Sequence, residues 1–162
     1  MPTDRLALAA DKLEIQEVLS RYAQITDAGQ WSRLDEVFEK GAVIDFTRNG
    51  GECLTYPEIV GYLERSLSIF VGIQHYMTNF AIDVDGDLAT CRNYVFTQMV
   101  TLVDGRDEIL SDGGWYDSWF RRGPQGWRMT KYIAGLVWLD GQWPAGVQRP
   151  GWWGQPGDRF AR

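Results

Sequence analysis

Apolar residues recur every three or four positions in the first part of the chain. Ile15, Val18 and Tyr22 share one face of a helix predicted over residues 4–28. Gly29 directly follows, at the position where glycine commonly ends a helix. The chain therefore opens with one long amphipathic helix.

Three shorter elements are predicted next. Ser32 is placed to cap a short helix through "RLDEVF", and "AVIDFT" has the composition of a strand. The segment "TYPE" is a capping-box pattern, which predicts a third helix over residues 55–70.

The hydrophobic period changes to two after residue 74, which indicates strands joined by hairpin turns. Helices followed by an antiparallel meander predict an α+β fold, a cone-shaped barrel in which a strongly curved sheet wraps the N-terminal helices. Gly113-Gly114 predicts a bulge where the sheet bends. The four predicted strands cover residues 74–84, 88–103, 109–121 and 127–139.

These elements form a single domain over residues 1–140. Residues 141–162 are rich in Trp, Gly and Pro and show no periodicity. Exposed Trp is costly, so we expect this tail to pack on the domain or on a neighbouring subunit; a disordered tail is the alternative.

Composition narrows the classes of function. The 162 residues carry a net charge of −6, which disfavours binding to nucleic acid or to an anionic membrane. No stretch approaches the roughly 20 apolar residues that span a bilayer, and we expect a cytoplasmic protein. Aromatic residues make up 14% of the chain, with eight Trp, which indicates an aromatic core, pocket or interface.

Metal chemistry has few candidate ligands. The two cysteines, Cys53 and Cys91, form no CxxC pair, and the chain has one histidine. A structural zinc site is therefore excluded, and we expect no metal and no cofactor.

The single histidine, His75, lies in "GIQHYMTNF", a predicted strand. Histidine transfers protons near neutral pH, but a lone copy is also compatible with a core position. Asp27 ends the first helix, where a carboxylate opposes the helix dipole, although an aspartate facing solvent is the simpler interpretation. If the two meet, Asp27 fixes the tautomer of His75 and makes its other nitrogen a better general base.

The order of these features resembles a known family. A first helix with "YxxxxD", a short helix, a strand, a third helix and then "HYxTN" opening a meander is similar to the SnoaL-like branch of the NTF2-like superfamily. Within it, the chain most resembles the scytalone dehydratase, bile-acid 7α-dehydratase and hexachlorocyclohexane dehydrochlorinase group. The resemblance implies that His75 is the catalytic base, Asp27 its partner and Tyr22 a contact to a substrate oxygen; a core role for Tyr22 is the alternative.

Two departures from the family narrow the chemistry that the resemblance implies. Tyr22 and Tyr132 stand where the dehydrochlorinase carries basic groups, which disfavours loss of halide. Scytalone dehydratase uses a second histidine, which this chain lacks.

Further residues are candidates for lining a pocket, because ligand sites are mostly apolar with a few polar groups. Amide hydrogen bonds are expected from Asn79 and Asn93, and apolar walls from Phe46, Val95, Met99, Trp115 and Trp119. For each of them except Trp115 a core position is the favoured interpretation, and for Trp115 the two positions are equally compatible with the pattern.

Two functions follow from this sequence. The first is a cofactor-independent lyase of the dehydratase type, or an isomerase, in which an Asp-His dyad removes a proton from a small, mostly apolar cyclic substrate. The second is a non-catalytic module that binds a small molecule or takes part in assembly; the β-subunit of a ring-hydroxylating dioxygenase shares the fold but needs a large partner. The resemblance also implies a homo-oligomer, a trimer or alternatively a dimer.

Overall fold

The structure, a computed structural model, describes residues 5–141. They form two α-helices and one six-stranded sheet, which confirms the predicted α+β fold. The predicted tail, residues 141–162, lies outside the described residues except for Gly141. The helices are α1 (Arg5–Asp27) and α2 (Ile59–Leu67), and the strands are β1 (Phe38–Asp45), β2 (Cys53–Thr55), β3 (Gly72–Asp85), β4 (Leu88–Val103), β5 (Arg106–Gly123) and β6 (Gly126–Asp140).

The long strands form as the alternating pattern predicts. Each is joined to the next by a tight turn, so β3, β4, β5 and β6 are antiparallel neighbours in sequence order. β1 then pairs in parallel with β6, and β2 pairs with β1. The sheet order is β2-β1-β6-β5-β4-β3, a curved sheet that does not close on itself.

Helix α1 lies in the concave side of this sheet and contacts β3 and β6. Its apolar stripe is fully buried, with Ile15 and Leu19 at 0% exposure. Burying one such side chain contributes roughly 1.5–3 kcal/mol, so this stripe anchors the helix. The helix thereby reaches the sheet with its C-terminal end beside β3. In the described part of the chain, no helix is long and apolar enough to cross a membrane.

The shorter elements differ from the expectation. The predicted short helix is a 3-10 helix over Trp31–Glu36, without a side-chain cap. The third helix begins at Ile59 rather than at residue 55, because Thr55 ends β2. The Thr55 hydroxyl still donates to the Glu58 carboxylate, so the capping-box residues do pair, but ahead of the helix.

Glycines allow two indole rings to lie flat on the outer face of the sheet. The ring of Trp138 covers Gly113, and the ring of Trp115 covers Gly135, where a side chain would collide with it. The register shifts between Gly113 and Gly114, as expected for a bulge. Exposed apolar residues, including Tyr76, extend this outer face; the expected homo-oligomer stays a prediction.

An ion pair between a buried aspartate and a partly exposed arginine ties the first half of α1 to the end of β5. Arg122 of β5 lies 2.6 Å from the Asp11 carboxylate, and the Trp127 indole donates to the same carboxylate at 3.3 Å. The hydrogen bonds from Arg122 hold the pKa of Asp11 below its usual value, and the bond from Trp127 adds to this effect.

We expect Asp11→Asn to lower the free energy of unfolding by about 1–3 kcal/mol at neutral pH. Because the folded-state pKa of Asp11 is lowered, its contribution is complete above the unfolded pKa near 4 and is lost as pH falls below it. Urea unfolding of both proteins at several pH values measures the difference. Asp83→Asn, at an exposed position, is the control. A wild-type advantage that stays constant into acid would contradict this account.

Candidate active site

The end of α1 has a fixed geometry that sets the position of Asp27. Gly29 adopts a left-handed conformation with φ +62°. The Gln30 amide donates to the Ile25 carbonyl at 2.9 Å, and the Gly29 amide to the Thr26 carbonyl at 3.1 Å. This is a Schellman motif, so Gly29 ends the helix as predicted. Asp27 is therefore the last helical residue.

Asp27 and His75 are in direct contact. One carboxylate oxygen lies 2.5 Å from Nδ1 of the His75 ring. The other accepts the backbone amide of His75 at 3.1 Å. Two bonds from one carboxylate fix both the strand and the ring. They also account for a carboxylate at the negative end of the helix dipole, where the last turn holds no basic residue.

The pair lies mostly out of solvent, with 11% of the His75 side chain and 22% of the Asp27 side chain exposed. With Asp27 ionised, the geometry requires a proton on Nδ1 when the ring is neutral. The second nitrogen, Nε2, then carries the free lone pair. His75 lines a cavity, so this nitrogen has a space in which to meet a ligand.

The cavity has a volume of about 430 Å³ and lies between the concave face of the sheet, α2 and the end of α1. This is the size of small-molecule sites in general. Its rim carries the exposed side chains of Glu52 and Arg65. Its walls are mainly apolar, formed by Phe46, Leu63, Leu67, Ile69, Phe70, Ile73, Met99, Leu136 and Leu139.

The polar floor of the cavity is one row across the sheet. His75 of β3 is the pairing partner of Thr97 of β4, and Thr97 is the partner of Asp112 of β5. Leu139 of β6 completes the row. Paired residues in neighbouring strands project to the same face, and all four line the cavity.

Burial shifts the pKa of several groups here. It raises the pKa of Asp112, while the hydrogen bond to Thr97 and the nearby His75 ring act in the opposite direction. Burial also raises the pKa of Tyr22 and Tyr116, so both remain protonated hydrogen-bond donors at neutral pH.

Three further candidates from the sequence lie at the cavity. Tyr22, Phe46 and Met99 are all on its wall. Tyr22 is also part of the core: only 3% of it is exposed, and its ring centroid lies 5.1 Å from that of Tyr132. The structure therefore brings Tyr22, Phe46, Asp27 and His75 together at one site.

Asn79 and Trp115 lie elsewhere, contrary to expectation. A register shift between Thr78 and Ala81 breaks the alternation that would have placed Asn79 on the face of His75. Asn79 is exposed, with φ +55°. Trp115 lies on the outer face, because the residue that follows it in the strand points inward. The centroid of its ring lies 4.5 Å from the guanidinium carbon of Arg92.

Asn93 and Val95 point inward but belong to the core rather than the cavity. Asn93 is 0% exposed, and its amide donates to the Tyr94 carbonyl at 3.0 Å. Val95 packs in the main hydrophobic cluster. Both precede Thr97 along β4, and neither lines the cavity. Trp119 lies on the outer face, and the centroid of its ring is 4.8 Å from the ammonium nitrogen of Lys131.

Asp112, Thr97 and Asn49 also line the cavity and were not predicted from the sequence. Asp112 has a sequence signal, since it alternates with buried Leu110 on the inward face of β5. Asn49 lies in a 3-10 turn at the cavity, and its buried side-chain oxygen has no hydrogen-bond partner within residues 5–141. In that same range, no three His, Cys, Asp or Glu side chains are grouped to hold a metal ion.

Comparison with known proteins identifies the domain family. The model of the SnoaL-like domain matches residues 7–133. The uncharacterized protein Rv2910c of Mycobacterium tuberculosis is 38% identical over 128 residues, covering 79% of this chain and 86% of that protein.

Solved structures give the same architecture. The Kfla4162 protein from Kribbella flavida is 26% identical, with a TM-score of 0.75, over 82% of this chain and 95% of its own. Hexachlorocyclohexane dehydrochlorinase LinA-type3 from Novosphingobium barchaimii is 21% identical, with a TM-score of 0.73, over 89% of this chain and 97% of its own. Likeness at the latter identity shows a shared fold.

Proposed function

The chain belongs to the SnoaL-like domain family of the NTF2-like superfamily, and on that premise we propose that it is a cofactor-independent lyase of the dehydratase type. Its substrate is small, mostly apolar and cyclic. The observation that carries the proposal is the contact between Asp27 and His75 on the wall of an apolar cavity. Isomerisation by double-bond migration would begin with the same proton removal.

Asp27 acts as a positioning residue and His75 as the general base. The carboxylate holds the proton on Nδ1 and turns the ring so that Nε2 addresses the cavity. When Nε2 takes a proton from a carbon next to a carbonyl, the carboxylate stabilises the imidazolium that forms. A positioned base supplies roughly 10²–10⁴ in rate, which is sufficient for such an activated C–H bond.

Tyr22 is the candidate for polarising the carbonyl. It lines the cavity one helical turn before Thr26 and remains protonated at neutral pH. A neutral hydroxyl that donates to the carbonyl oxygen stabilises the enolate left after proton removal. This role completes the set of one base, its positioning carboxylate and one donor.

The arrangement favours catalysis over binding alone. A binding module needs apolar walls and a few polar groups, and the cavity has both. It has no need for a carboxylate that accepts hydrogen bonds from both the ring and the backbone amide of one histidine. The pairing therefore supports the catalytic proposal.

We expect Asp27→Asn to lower kcat for dehydration of 3-hydroxycyclohexanone by roughly 10²–10³-fold, with little change in KM. An amide no longer fixes the proton on Nδ1, so the ring populates the wrong tautomer. Formation of cyclohexenone is followed by ultraviolet absorbance. Nitrogen-15 NMR of His75 gives an independent measurement, with protonated Nδ1 in the wild type and mixed tautomers in the variant.

The matched control is Asp35→Asn, an exposed carboxylate after the same helix. It is expected to retain wild-type kcat. If Asp27→Asn also retained wild-type kcat and an unchanged tautomer, the positioning role would be wrong.

A further inference from the structure

Asp112 is a carboxylate on the cavity wall that the base and its partner do not use. It lies on the inward face of β5 between Leu110 and Tyr116, two buried residues. Its pairing partner Thr97 is in turn the partner of His75, so one threonine separates the carboxylate from the base. Strands lie about 4.8 Å apart, which places the two backbones roughly 10 Å from each other.

The surroundings of Asp112 favour its neutral form. Burial raises its pKa, and the two opposing influences are the Thr97 hydrogen bond and the His75 ring. On its other side, β6 presents the apolar Leu139. Tyr116 faces the same space and is itself neutral.

The other charged groups of the cavity are accounted for. Asp27 is bound to His75, and Glu52 and Arg65 lie at the exposed rim. In the described part of the chain, no arginine or lysine forms an ion pair with Asp112. A carboxyl group in such a place is suited to carry a proton rather than a charge.

Building on the proposed function, we propose that protonated Asp112 is the general acid of the elimination and donates its proton to the leaving hydroxyl of the substrate. His75 removes a proton from one carbon while Asp112 delivers a proton to the oxygen on the adjacent carbon. The C–H and C–O bonds break, a C=C bond forms and water leaves. The imidazolium and the Asp112 carboxylate then return to their starting forms by losing and gaining one proton through solvent.

The distance between His75 and Asp112 along the row suits a base and an acid that act on adjacent carbons of one substrate. Side chains from β3 and β5 extend into one concave space, and a six-membered ring above Thr97 is flanked by both. The chain has a single histidine, so a second imidazole is not available as the acid. Asp112 fills that role with a group of a different kind.

Two probes with different leaving groups test the proposal. 3-Hydroxycyclohexanone must lose its hydroxyl as water and needs a proton, whereas 3-(4-nitrophenoxy)cyclohexanone loses nitrophenolate without one. We expect Asp112→Asn to lower kcat/KM for the first probe by roughly 10²–10⁴-fold and for the second by less than about tenfold. Asp107→Asn, an exposed position on the same strand, is the matched control and should leave both values unchanged.

The behaviour of His75→Ala separates this proposal from the proposed function. Loss of turnover on both probes in that variant supports the base. If Asp112→Asn changed kcat/KM by the same factor on both probes, relative to the wild type, the general-acid role of Asp112 would be overturned while the base remained supported. If His75→Ala turned over both probes at the wild-type rate, the proposed function itself would fail.

A measurement without substrate completes the test. Carbon-13 NMR of labelled aspartate carboxyls, assigned with Asp112→Asn, is expected to show Asp112 titrating above the ordinary aspartate range. A resonance that titrates at or below that range would overturn the proposal whatever the probes show, because Asp112 would then hold no proton to donate. Melting temperatures of the variants verify that each is folded.

Discussion

Replacing His75 with alanine is expected to lower the rate of 3-hydroxycyclohexanone dehydration by roughly 10²–10⁴-fold. That loss corresponds to about 3–5 kcal/mol of activation free energy. The physical reason is the position of the ring on the wall of an apolar cavity, where Asp27 bonds to its Nδ1 and accepts the backbone amide of the same residue. Without it, water must remove the proton from carbon. Cyclohexenone formation under saturating substrate measures the effect.

Two comparisons make this result specific. Gln74→Ala changes the neighbouring residue, whose side chain lies on the outer face and accepts a hydrogen bond from Tyr76, and should retain wild-type turnover. Added imidazole should restore part of the activity of His75→Ala, since the space left by the ring opens to the cavity. Wild-type turnover by His75→Ala would show that His75 is not the catalytic base.

The second large effect is on stability. Gly114→Ala is expected to lower the free energy of unfolding by about 3 kcal/mol and Tm by roughly 6–12 °C. A Cβ at Gly114 would collide with the backbone carbonyl of Gly135 in the neighbouring strand, and a backbone atom cannot turn away as a flexible side chain can. The bulge would have to open, and with it the wall that carries Leu136.

Gly123→Ala is the matched control on the same strand. No atom outside its chain neighbours lies within 4 Å of a Cβ built at Gly123. We expect a change of less than about 0.5 kcal/mol, with no loss of turnover. Urea and thermal unfolding of both variants measure the difference. Equal stability of the two variants would show that the close approach at Gly114 contributes little.

Local patterns predicted the elements whose causes are local. The 3.6-residue period gave α1 and the period of two gave the four long strands, because each reports which side faces the core. Gly29 ends α1 as expected, since its left-handed conformation is intrinsic to glycine. The contact between Asp27 and His75 was predicted from the family resemblance. Local patterns could not predict it, because 48 residues separate the two along the chain.

Features that depend on distant pairing were not predicted. β2 has only three residues, and β1 pairs in parallel with β6 from the opposite end of the domain. The bulge after Thr78 depends on the fit between β3 and β4, so simple alternation wrongly placed Asn79 at the site. Without the register between strands, the row that joins His75 to Asp112 also remained hidden.

The most direct test of the account is deuterium exchange into cyclohexanone, which has activated C–H bonds and no leaving group. Proton NMR in D₂O follows the loss of the signal from the carbons next to the carbonyl. We predict exchange above the buffer rate with the wild type, a reduced rate with Asp27→Asn and the buffer rate with His75→Ala. Equal exchange by the wild type and His75→Ala would contradict the claim that His75, positioned by Asp27, removes a proton from a bound carbonyl compound.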